Sequence, residues 1–192
     1  NPFGKIWSRE EINSLGRLAR QEGIFIVVDG VYQELYYGDP PYHPIRDLSE
    51  NMFYVNSFSK IFSITGWRIG YMVAHPNHMP AIKSIHDYTG LCAPSVLQEA
   101  IVRYIKQYDW GADYIERLRI KLKDGLNTMK PGLEDLGFYI PDIGGGFFIW
   151  AALPEGWKDG FRFTIDLYDQ QKVAVIPGEH LSKRHTHYIR LN

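Results

Sequence analysis

The sequence is short of several things, and each shortage narrows the reading. It holds one cysteine, Cys92, in 192 residues. A single cysteine excludes an internal disulfide framework and fits a reducing compartment, so the expected location is cytoplasmic. The ordinary reading of such a residue is a small buried apolar side chain. No apolar run is long enough to cross a bilayer and no signal-peptide pattern is present, so no membrane partner is expected. The formal net charge of −1 leaves no excess of either sign to draw the chain to nucleic acid. Internal repeats and low-complexity tracts are absent. The chain also lacks an initial methionine. It begins on the turn sequence Asn1-Pro2-Phe3-Gly4 and stops after the strand-like Tyr188-Ile189-Arg190-Leu191. Neither end reads as a natural terminus, so the expectation is a fragment of a longer protein, truncated at its end.

What is present is ordinary in amount. Hydrophobic residues make up 45% and charged residues 22%, the balance of a globular chain with enough apolar material for a core. The length allows one large domain or two small ones.

Order along the chain gives an α/β pattern. Ser8 and Glu11 have capping-box spacing, Ile12, Leu15, Leu18 and Ala19 make one apolar helical face, and Gly23 supplies a stop. Ile24 to Val28 is a continuous β-branched and aromatic run, which predicts a parallel strand covered on both faces. It ends in Asp29-Gly30-Val31-Tyr32. After a proline-rich loop, Met52 to Asn56 predicts a second strand, ending at Ser57, and Arg68 to Ala74 a third. Helices are predicted from about Met79 to Tyr88 and from Pro94-Ser95 through Tyr104. A long amphipathic helix is predicted from Asp109, with a kink or break near Pro131-Gly132. After Gly137 the organisation changes. Phe138-Tyr139-Ile140 and Gly146 to Ala151 read as strands around Gly144-Gly145-Gly146. A helix follows from about Phe161 to Gln171, and Val173 to Ile176 and Tyr188 to Leu191 close the chain as short strands. This second part reads as a separate α+β domain, hinged through the long helix.

The chemistry-bearing residues fall at strand boundaries. Ligands in open parallel sheets collect outside the carboxyl ends of the strands, which puts Asp29, Tyr32, Ser57 and Lys60 along one edge. Lysine is among the residues least often buried, so Lys60 between apolar segments invites a chemical explanation. Each residue taken singly has a plain structural reading: Lys60 a solvated charge, Asp29 a cap or turn residue, Tyr32 a core-edge residue, Ser57 a turn former, Arg68 half of an ion pair. Together they make a different set. An amine can form an imine with a carbonyl cofactor, a carboxylate can hold a pyridine nitrogen, a phenol can tune the ring hydroxyl, and a hydroxyl and a guanidinium can hold phosphate.

The segments Asn1-Pro2-x-Gly4, Asp29-x-x-Tyr32 and Ser57-x-Ser59-Lys60 with Arg68 resemble, in order and spacing, the signature set of the class I/II aminotransferases, fold type I pyridoxal-phosphate enzymes of the aspartate aminotransferase superfamily. Phe3 stands where threonine is common in that set, and Gly30 where glutamate is often found. The resemblance implies a large domain of mostly parallel sheet with helices over residues 1–108, as the C-terminal part of a cofactor-binding domain, and a small α+β domain over 109–192. It implies pyridoxal 5′-phosphate as cofactor, with Lys60 as the Schiff-base lysine and proton carrier. Asp29 would pair with the pyridine nitrogen, Asn1 and Tyr32 with the ring oxygen, and Ser57 and Arg68 with the phosphate. Arg190 would grip the substrate α-carboxylate, a bidentate task that suits its planar fork. The implied reaction moves an amino group between an amino acid and a 2-oxo acid, in a homodimer. Two other readings share the resemblance: a carbon–sulfur lyase or related fold type I enzyme, and the aminotransferase-like sensor domain of a transcription regulator. His185 and His187 could share a strand face as metal ligands, but no third ligand is evident and no metal is expected.

Overall fold

The structure, a computed structural model, describes all 192 residues. By internal contacts it divides into two units, Trp7–Leu118 and a second made of Asn1–Ile6 with Arg119–Asn192.

In the first unit, helix α1 (Arg9–Glu22) starts where the sequence says it should. The Ser8 hydroxyl accepts from the Glu11 amide and the Glu11 carboxylate accepts from the Ser8 amide, closing both halves of the capping box. Gly23 ends the helix in the left-handed conformation at φ 62°. Strands β1 (Ile26–Asp29), β2 (Met52–Ser57) and β3 (Gly70–Val73) form one sheet in that order. β1 and β2 run parallel, with Asp29 opposite Val55, and β3 runs antiparallel to β2, with Gly70 opposite Ser57. The part of the sheet held by this chain has one parallel and one antiparallel pair, and β3 is shorter than the predicted span from Arg68 to Ala74. A short helix α2 (Phe58–Ile61) follows β2, and α3 (Met79–Thr89) and α4 (Ser95–Gln107) follow β3.

Within this chain β1 is less covered than its apolar run predicts. Met52, Tyr54 and Asn56 of β2 point to a buried face, together with Ile12 and Ala19 of α1 and Leu35. The opposite face carries a ring cluster of Phe25, Phe53 and His78 but leaves Phe25 63% and Val27 62% exposed. Within this chain β1 has one strand neighbour, β2, and its more and less covered residues alternate with the pleat. Cys92 is likewise exposed and not the buried residue expected.

The long helix α5 (Ala112–Asp135) carries the chain from the first unit into the second. It begins three residues later than predicted, because Asp109 and Trp110 both adopt left-handed backbone in a preceding 3-10 turn. It also continues without a break through Pro131 to Asp135. Pro131 sits in the last turns, where losing one i to i−4 hydrogen bond removes little of the helix beyond it.

The second unit holds an antiparallel sheet ordered β4 (Ile149–Ala152), β6 (Tyr188–Leu191), β5 (Ile176–Pro177), with helix α6 (Gly160–Gln171). The α+β character follows the expectation, but the strands are shorter. Phe138 to Ile140 contributes one isolated bridge, Tyr139 to Ala152. The strand predicted over Gly146 to Ala151 starts only at Ile149, after the backbone turns at Gly146 with φ 84°. The core is a single cluster of Ile140, Ile149, Ala151, Leu153, Val175 and Ile189, with Leu126, Leu133, Phe163 and Leu167 packed on it.

The division differs from the expected boundary at 108/109 in two ways: it falls inside α5, and the first six residues belong with the C-terminal part. The second difference has a local cause. The Gly4 carbonyl accepts from the amides of Gly144 at 2.9 Å and Gly145 at 3.1 Å, which ties the opening turn to the glycine run. Gly4 has φ +65°, and a Cβ there would come within 3.0 Å of the Gly145 carbonyl and the Ile143 side chain, so both backbone shape and space call for glycine.

Candidate active site

Three strand ends converge on one edge of the first unit's sheet. β1 and β2 are parallel and both finish there, and antiparallel β3 starts there. Asp29 is the last residue of β1, and its Oδ1 accepts from the Val31 amide at 3.1 Å, an Asx turn that fixes the carboxylate at the strand end. Tyr32 lies in the turn that follows, where its carbonyl accepts from the Leu35 amide.

Ser57 ends β2 and caps α2, its hydroxyl accepting from the Ser59 amide at 3.1 Å. The same hydroxyl lies 2.8 Å from the Ser59 hydroxyl and 3.1 Å from the Ile69 carbonyl. Lys60 sits in the single turn of helix so formed. Arg68 precedes β3 in the left-handed conformation, φ 56° and ψ 41°, and its Nη1 donates to the Thr65 carbonyl at 3.0 Å. A non-glycine residue held there costs about 1–3 kcal/mol, and such strain gathers at functional positions. The Phe58 amide donates to the Ile69 carbonyl, so the turn after β2 and the turn before β3 are closed on each other. The sequence-predicted Asp29, Tyr32, Ser57, Lys60 and Arg68 therefore share one sheet edge.

Asn1 and Arg190 belong to the second unit and meet there, Arg190 Nη1 donating to Asn1 Oδ1 at 3.0 Å. Arg190 lies in the central strand β6, between Trp150 and Ile176. Its guanidinium lies 4.4 Å from the centre of the Phe148 ring, an arrangement that orients a planar cation. Its Nε is buried without a hydrogen-bond partner. A buried guanidinium N–H left unpaired is costly, so the Nε of Arg190 stands out among the buried polar atoms.

Some participants are not singled out in the sequence. Phe148 supports Arg190, and the only hint was an aromatic pair after the glycine run. Asn56 and Tyr54 lie under the sheet edge, joined by a 2.8 Å hydrogen bond, and a buried phenol in an apolar strand carries no motif. Burial raises the Tyr54 phenol well above the usual tyrosine range, so it stays protonated. The two histidines considered as metal ligands precede β6. His185 pairs with the Ser182 hydroxyl at 2.8 Å and packs against the rings of Trp150 and Tyr188. No group of three or more His, Cys, Asp or Glu side chains that could hold a metal ion occurs. No helix is long and apolar enough to cross a membrane.

The chain is similar to known proteins along its length. The Bacillus subtilis protein YugH is 30% identical over 99% of this chain and 49% of its own length. An aspartate aminotransferase of Thermococcus kodakarensis is 32% identical over 93% of this chain and 46% of its own. A single-mutant aspartate aminotransferase of Thermus thermophilus superposes with a TM-score of 0.91 at 26% identity, covering all of this chain and 50% of that one. The chain thus spans about half the length of the curated relatives it matches. The model of the family "Aminotransferase class I and II" matches residues 1–192, the whole chain. With that match over the whole chain, and an α/β fold shared with a solved aspartate aminotransferase, the chain belongs to the class I and II aminotransferases.

Proposed function

We propose that this chain is the C-terminal half of a pyridoxal-phosphate-dependent aminotransferase, which exchanges the amino group of an amino acid with the carbonyl oxygen of a 2-oxo acid. The observation that carries the reading is the donor set on one edge: carboxylate, amine, hydroxyl and guanidinium at the ends of three neighbouring strands. That set fits the cofactor, which presents a pyridine nitrogen, a carbonyl and a phosphate.

Each residue then has a task. Asp29 holds the proton on the ring nitrogen, its carboxylate fixed by the Val31 amide. Tyr32 and Asn1 donate to the ring oxygen. Ser57 and Arg68 would hold the phosphate, the guanidinium as a charge-assisted donor. Lys60 would hold the cofactor's carbonyl carbon through its amine and, when free of it, would carry the substrate Cα proton. Arg190, backed by Phe148 and with Nε unpaired, takes the substrate α-carboxylate. When bound, the cofactor supplies an electron sink for the pair left by that proton. Most of the unit Trp7–Leu118 would belong to the cofactor domain and Arg119–Asn192 to the small domain, in a cytoplasmic homodimer.

The test is trapping. The full-length protein, loaded with cofactor and treated with borohydride, should carry the reduced adduct on the peptide containing Lys60, read by mass. Lys60→Ala should bind cofactor without that adduct. An adduct on another lysine, or none, sinks the reading. Turnover should require a 2-oxo acid; ammonia released without one would indicate a lyase instead.

A further inference from the structure

Tyr54 is fully buried and Asn56 is 7% exposed, and together they are the polar floor under the proposed cofactor edge. The Tyr54 hydroxyl accepts from Asn56 Nδ2 at 2.8 Å, and Asn56 Oδ1 accepts from the Ser57 amide at 2.6 Å. Ser57 in turn caps the helical turn bearing Lys60. On the other side, the tip of the Tyr54 ring lies directly beneath Gly30. A Cβ at residue 30 would come within 3.0 Å of the Tyr54 hydroxyl and of two ring carbons, closer than real Cβ atoms approach anything. Gly30 follows Asp29, and its amide donates to the Val55 carbonyl at 2.8 Å, so it has no room to retreat without breaking the β1–β2 ladder.

We propose that Tyr54 is a positioning residue that sets Asp29 relative to the Ser57–Lys60 turn, and that Gly30 and Tyr54 form a matched pair in which the ring fills the space of the missing side chain. The absence of a side chain at residue 30 is then no loosening of the site. The volume has moved from the turn to the strand beneath it, and it brings a hydroxyl that Asn56 uses to hold the second turn. The positioning role rests on the cofactor reading above; the matched pair does not.

The experiment is a double-mutant cycle in the full-length protein. Gly30→Ala should lower Tm and raise the cofactor Kd about 10-fold or more, equivalent to about 1.4 kcal/mol. In the Tyr54→Val background the same change should cost less than half as much in both. If Gly30→Ala alone fails to fold, the double variant must fold, and a double variant that also fails overturns the pairing. Additive effects overturn it too. Tyr54→Phe keeps the ring and removes the acceptor of Asn56. It should shift the pH midpoint of the Lys60-bound cofactor's absorbance band, which a loss of packing alone would not move. An unchanged midpoint with unchanged Kd overturns the positioning role. A wild-type protein with no Lys60 adduct would instead sink the cofactor reading, and the Tm cycle on protein without cofactor would still decide the pairing.

Discussion

The two units bury their sheets differently. In the second, β4 is buried along its length, Trp150 is 0% exposed, and six aliphatic residues close one cluster over α5 and α6. In the first, β1 is richer in β-branched residues yet leaves Val27 open, and Phe25 just before it is open too. The difference teaches that an apolar run measures capacity for burial, while the number of neighbouring layers decides how much is used. The first unit's open face also accompanies its function-bearing edge, and the second unit's closed core sits behind a single cation, Arg190.

That contrast can be broken or sharpened. The largest effect should come from the proton carrier: Lys60→Ala should lower turnover by roughly 10²–10⁴-fold or more, measured as amino transfer to a 2-oxo acid. Retained turnover would remove the chemical meaning of the edge. Next, Trp150→Ala should destabilise the chain by about 3–5 kcal/mol in denaturant unfolding, as loss of a buried aromatic does. Val27→Ala should cost under about 0.5 kcal/mol, as surface changes do. Equal costs would mean that β1 is covered after all. Arg190→Lys, which keeps charge but loses the planar fork over Phe148, should raise KM for the amino acid about 10-fold or more with a smaller change in kcat, following loss of a bidentate, oriented contact. Ser8→Ala should cost about 1 kcal/mol by removing the α1 cap, seen as a lower unfolding midpoint.

The smallest effect is a pH dependence in the first unit. The Tyr42 hydroxyl and the Arg9 guanidinium both donate to Asp47 Oδ2 and hold its carboxyl below the usual carboxylate range. A depressed carboxyl contributes stability at pH above its unfolded value, and that contribution is lost as pH falls through the folded value. Asp47→Asn should therefore flatten the acid limb of a Tm-against-pH profile. The group is solvent-exposed, so the change should be slight.

The elements with strong local signals were legible from residues alone. The capping box fixed the start of α1 because both hydrogen bonds form within four residues. Asp29, Ser57 and Lys60 could be placed because strand ends and turn residues are local features, and parallel strands bring their ends to one edge. Signals that depended on distant partners were not legible. The glycine run Gly144–Gly146 gave no sign that it would receive Gly4, about 140 residues earlier, and draw Asn1 into the unit of Arg190. Neither Gly30 nor Tyr54 means anything until β1 and β2 are in register.

Local spacing and side-chain chemistry were enough to read most of the element types, the family and the candidate reactive groups. Only the tertiary structure decided which apolar residues are covered, where the chain divides, what backs Arg190 and what lies under Gly30. Those are outcomes of packing between residues far apart in the chain, where a few tenths of an ångström separate contact from clash.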